Sequence, residues 1–100
     1  MGINVESRDE RGKPIEWLDG NLDEVVGLLF SQSSVWFDHI DQWGDTTYNP
    51  SQCREFVREL RRVLDSVDVS RSQRITLENL LRLASTVAST SHRYLVFVGD

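Results

Sequence analysis

Asp38, His39, Asp41 and Asp45 fall within eight consecutive positions. Carboxylate and imidazole groups both ligate divalent cations, so this run is the first candidate for chemistry. If residues 34–43 are helical, Asp38 and Asp41 share a face and Asp45 lies past Gly44. The calcium-loop pattern D-x-D-x-D-G and the zinc motif H-E-x-x-H are absent. A solvated acidic face accounts for the same residues, and no metal site is assigned. Cys53 is the second candidate, because the first turn of a helix lowers a thiol pKa. It also falls on an apolar face with Phe56 and Val57, where a thiol is inert packing. His39 and His92 are the only imidazoles, and neither stands in a context that marks a general base. Neither G-x-G-x-x-G nor G-x-x-x-x-G-K-[ST] occurs, so no nucleotide cradle is expected. No catalytic residue and no cofactor are assigned, and a protein without catalysis is expected. The alternative is a small enzyme using Asp38, His39, Asp41 and Asp45 with a metal, or using Cys53.

Charge and aromatic rings are unevenly spread. Residues 1–50 hold ten acids and three bases, while residues 51–100 hold six acids and eight arginines. From Pro14 to Cys53 there is no Lys or Arg, yet this stretch carries seven acids and six of the nine aromatics, including Trp17, Trp36 and Trp43. Those acids need the arginines of the second half, water or a partner. Two readings follow: an ordinary dipolar layout with aromatics in the core, or an acidic surface with aromatic anchors. The second suits a basic partner, since interface centres favour Trp, Tyr and Phe and complementary charge speeds association.

The elements that must position these residues are legible from periodicity. Ile3, Val5 and Ser7 alternate with polar residues, Asp9–Gly12 makes a turn, and Ile15 and Trp17 resume the alternation, so an N-terminal hairpin is expected. Pro14 places its second strand at an edge or starts it. Asn21 with Glu24 has capping-box spacing, and Leu22, Val25, Val26, Leu29 and Phe30 share a helical face. Trp36, Phe37, Ile40 and Trp43 suggest a short helix, capped by Ser33 or Ser34 and closed by Gly44 in the left-handed conformation. Asp45–Tyr48 is then loop or a short extended piece. Asn49 as cap and Pro50 at the first position open an amphipathic helix ending near Asp65. Ser70 with Gln73 opens another, ended by Ser89–Ser91. Tyr94–Val98, apolar throughout, is a strand inside the sheet. Residues 1–100 are expected to form one α+β domain: an N-terminal β-hairpin, three to four helices, and a C-terminal apolar strand in a small sheet.

One hundred residues with 39% hydrophobic and 27% charged composition suit a single core. No apolar run of about 18 residues spans a membrane, and the charged first 20 residues carry no secretory signal. One cysteine excludes an internal disulfide, and a reducing cytoplasm fits. A net charge of −5 argues against general nucleic-acid binding.

Three strings, Ile15-Glu16-Trp17-Leu18-Asp19, Gly44-Asp45-Thr46-Thr47-Tyr48-Asn49 and Tyr94-Leu95-Val96-Phe97-Val98-Gly99-Asp100, resemble a family of short uncharacterised bacterial proteins. The resemblance spans most of the chain, supplies no activity, and implies that Gly44, Asp45, Asn49, Gly99 and Asp100 belong to a shared pattern. By type alone, a short acidic α+β chain without a catalytic motif is similar to bacterial immunity proteins and phage-encoded, anti-defence inhibitors. The expected function is therefore protein binding: an inhibitor or immunity protein that occludes a basic site on a toxin or defence-system component. The expected contact residues are Trp36, Asp38, Asp41, Trp43 and Asp45. A self-associating module is a further alternative, because the segment 36–43 is short for hiding two tryptophans; a monomer or weak homodimer is expected.

Overall fold

The computed structural model describes residues 2–99. Asp100, part of the third string, lies outside the described residues. In chain order the elements are β1 (Asn4–Asp9), β2 (Pro14–Trp17), α1 (Val26–Phe30), α2 (Val35–Asp38), β3 (Asp45–Tyr48), α3 (Pro50–Ser66), α4 (Arg71–Ala88) and β4 (Arg93–Val98). The four strands form one antiparallel sheet in the order β2-β1-β4-β3. The chain is an α+β domain, with the hairpin first and the apolar strand inside the sheet.

Each long element has a local cause. Between β1 and β2 the Asp9 carboxylate accepts from the Arg11 and Lys13 amides, both at 2.9 Å, and Gly12 takes φ +84°. The Lys13 amide holds the Asp9 carboxyl below its ordinary pKa. Asn49 and Gln52 form a complete capping box at the start of α3, each side chain accepting the other's amide at 2.8 Å, with Pro50 next. Ser70 and Gln73 do the same for α4.

Both long helices lie on one face of the sheet. Val5 and Ser7 of β1, Leu95 and Phe97 of β4 and Tyr48 of β3 are buried on that face. Phe56 of α3 is the hub beneath them. Its ring centroid is 5.5 Å from Phe37, 5.7 Å from Tyr48 and 5.5 Å from Phe97. This cluster joins α2, α3, β3 and β4, and it is what fixes the 34–48 segment to the rest of the domain. On α3, Arg58 pairs with Glu55 and Arg62 with Glu59 at i, i+3. Arg54 and Arg74 donate to carbonyls of the neighbouring long helix, at Ala88 and Leu64.

The structure departs from the periodicity in two places. The helix expected from Leu22 begins only at Val26. The Leu18 and Leu22 amides donate to the Val5 and Ile3 carbonyls at 2.9 Å, stitching this stretch to β1. Asn21 caps nothing; its side chain accepts from the Asp23 amide in a local turn. The second departure is at α2, which is one turn ending at Asp38 and does not run on to Trp43. The Asp41 amide donates to the Thr46 hydroxyl and the Asp41 carboxylate accepts from the Trp43 amide, so both groups are taken from the helical ladder. Gly44 does not adopt the left-handed conformation; among the described residues that region is occupied by Gly12, Gly20, Ser33 and His92. Asp45–Tyr48 is a true edge strand.

Ser34 stands at the cap position of α2 but makes no capping bond, and its buried hydroxyl is unpartnered among the described residues. Ser34→Ala is therefore expected to be neutral or to stabilise by up to about 1 kcal/mol, because it removes an unpaired polar group. Ser7→Ala should instead cost about 1 kcal/mol, since the Ser7 hydroxyl accepts from the Glu16 amide at 3.1 Å. Urea denaturation midpoints of the two variants check the contrast in sign.

Candidate functional site

After leaving the helix at Asp38, the chain forms a shallow groove of about 490 Å³ lined by Phe30, Asp38, His39, Ile40, Asp41, Gln42 and Trp43. Ile40 is its buried floor, while Trp43 is 69% exposed on its rim. Asp38 and Asp41 are exposed beside it. The backbone under the rim is held firmly. The Gly44 carbonyl accepts from the Gly99 amide at 2.8 Å. A Cβ on Gly99 would sit 2.6 Å from each of the carbonyl oxygens of Asp41, Gln42 and Gly44, so only glycine lets β4 run so close under this loop.

Of the five residues expected to make contact, the structure brings three together in the groove: Asp38, Asp41 and Trp43. Trp36 is half-buried and packs edge-on against Tyr48 at 5.7 Å, and its carbonyl accepts from the Tyr48 hydroxyl. Its ring supports the fold from outside the groove lining. Asp45 is exposed at the start of β3, also outside the lining. Phe30 and Gln42 line the groove and were not singled out by the sequence. Phe30 had two signals: its place at the end of an apolar helical face, which reads as core, and its place among the six aromatics of the stretch without Lys or Arg.

The charge layout follows the sequence closely. The ion pairs among the described residues are Arg8 with Glu6, Arg58 with Glu55, Arg62 with Glu59 and His92 with Glu10. None uses an acid from the stretch 14–53, so Asp38 and Asp41 meet no basic side chain at ion-pair distance within the described residues. No three His, Cys, Asp or Glu side chains converge to hold a metal ion among them either.

Cys53 is fully buried, with its sulfur 3.9 Å from the Tyr48 carbonyl. Burial pushes its thiol up to about 12, away from the thiolate that a nucleophile needs. Burial, with the neighbouring Cys53, likewise pushes the Tyr48 hydroxyl up to about 12. Both groups thus hold their protons in the folded chain at pH values where the unfolded chain, with ordinary values of about 8.5 and about 10, loses them. Stability is independent of both below that range and falls as pH rises through it. Denaturation midpoints should decline between about pH 9 and about pH 12, and Cys53→Ala should decline less steeply. Equal slopes would refute the assignment to Cys53.

No helix among the described residues is long and apolar enough to cross a membrane. The chain matches no known protein family, no curated protein and no solved structure.

Proposed function

We propose that the chain is a non-catalytic binding protein of the inhibitor or immunity type, working in the cytoplasm by occluding a basic site on a partner such as a toxin or a defence-system component. The observation that carries this reading is Trp43, 69% exposed on the rim of a groove that also presents Asp38 and Asp41. An exposed indole beside two carboxylates suits an arginine or lysine side chain of a partner. The indole face attracts the cation, the carboxylates pair with it, and the groove takes the aliphatic stem.

Trp and Arg are the residue types most often found at interface hot spots. The acidic surround would also steer a basic partner toward the groove and repel acidic ones. Affinity capture from cells of the native host, or from target cells if the gene is carried by a phage, tests the reading. A specific partner should be retained at low salt, reduced at high salt, and lost with Asp38→Lys/Asp41→Lys. Equal retention by that double variant would overturn the proposal that this groove is the contact.

A further inference from the structure

We propose that the sheet face turned away from the long helices carries a second site, which binds a small organic monocarboxylate through Arg8, Thr47 and Tyr94. Side chains alternate between the two faces of a strand. Ser7, Tyr48 and Leu95 are buried on the helix side, so Glu6, Arg8, Thr47, Tyr94 and Val96 stand on the opposite face. There Arg8 lies across from Tyr94, and Val96 lies between Glu6 and Thr47. The turn between β1 and β2 walls one end with Asp9, Glu10 and Gly12. Together with Arg8, Thr47, Tyr94 and Val96 these residues bound a cavity of about 250 Å³.

The chemistry of the walls selects the ligand. Arg8 Nε donates to Glu6 at 2.6 Å, and both side chains are mostly buried, at 28% and 13% exposure. This pair fixes the guanidinium, while its two terminal nitrogens make no hydrogen bond among the described residues. The Tyr94 and Thr47 hydroxyls donate to no group among those residues either. Guanidinium nitrogens only donate, hydroxyls can turn to donate, and the planar fork of Arg matches a carboxylate. The acids of the turn are already engaged: the Asp9 carboxylate accepts from the Arg11 and Lys13 amides, and Glu10 lies 3.3 Å from His92. At this corner Glu6, Asp9 and Glu10 are set against Arg8, Arg11, Lys13 and Arg93, the last across from Asp9 on β4. One positive charge is in excess, on a chain of net charge −5, which suits a monoanion and disfavours a phosphate dianion. Val96, 2% exposed, gives an apolar floor beside the Tyr94 ring, so the body of the ligand is flat and apolar. Sites for drug-sized ligands measure about 300–1,000 Å³, and this one takes a smaller molecule of the size of benzoate.

The site shares no residue with the groove around Trp43, and its test needs no partner, so the two readings stand or fall apart. Titration of the isotope-labelled chain with sodium benzoate at constant ionic strength, followed by amide chemical shifts, is the test. Saturating shifts are expected at Arg8, Gly12, Thr47 and Tyr94–Val96, with a Kd on the order of 1 mM. Benzamide, of the same shape without the charge, and inorganic phosphate should each bind at least about tenfold more weakly. Arg8→Lys keeps the charge and loses the fork, and should weaken benzoate about tenfold. Glu6 is paired with Arg8, so Tyr94→Phe is the variant that keeps both the ring and the pair; losing the hydroxyl should weaken benzoate about tenfold. Shifts that do not saturate, benzamide or phosphate binding as tightly as benzoate, or either folded variant binding benzoate as tightly as the unaltered chain would overturn the proposal.

Discussion

Phe56→Ala should destabilise the domain by about 3–5 kcal/mol, the cost of emptying a fully buried phenylalanine site. Phe56 is 0% exposed and touches three other rings, each carried by a different element. The void cannot close by moving one side chain, because Phe37, Tyr48 and Phe97 are anchored on α2, β3 and β4. A domain's net stability is about 5–15 kcal/mol, so this loss brings the chain close to unfolding. Urea denaturation followed by circular dichroism measures it. A change below about 1 kcal/mol would mean that the cluster does not hold α2 and β3 in place.

Gly99→Ala should displace the loop that carries Trp43. The added methyl would overlap three backbone oxygens at 2.6 Å, and none of them can rotate away as a side chain would. Either β4 frays at its end, breaking the bond from the Gly99 amide to Gly44, or the segment 41–44 lifts. Overpacking of this kind costs about 1–3 kcal/mol. Amide chemical shifts of residues 41–46 should move while those of α4 stay, and unchanged shifts at Trp43 would contradict the packing described.

The sequence made some of this architecture plain and hid the rest for physical reasons. The starts of α3 and α4 were legible because Asn49 with Gln52 and Ser70 with Gln73 are local devices, complete within four residues. The hairpin and the apolar run at Tyr94–Val98 were legible from alternation and composition. The strand order was not, because pairing β1 with β4 and β4 with β3 joins residues far apart in sequence. β3 was weakly signalled, being four residues at an edge with two threonines.

The segment 34–44 was the hardest. The spacing of Trp36, Phe37, Ile40 and Trp43 fits a helix, but the Asp41 side chain and Thr46 offer the backbone better partners after one turn. That break is what separates Trp36, held against Tyr48, from Trp43, left on the rim. The acidic character of the site was legible from composition alone; which tryptophan stands beside Asp38 and Asp41 depended on a hydrogen bond.

The dissociation constant of the captured partner for Trp43→Ala tests the central claim most directly. An anchor in a desolvated contact is worth at least about 2 kcal/mol, so affinity should fall by about 30-fold or more. Trp43 is exposed, and its loss should leave the melting temperature nearly unchanged. Binding by Trp43→Ala as tight as that of the unaltered chain would contradict the claim that the groove beside Asp38 and Asp41 is where the partner is held.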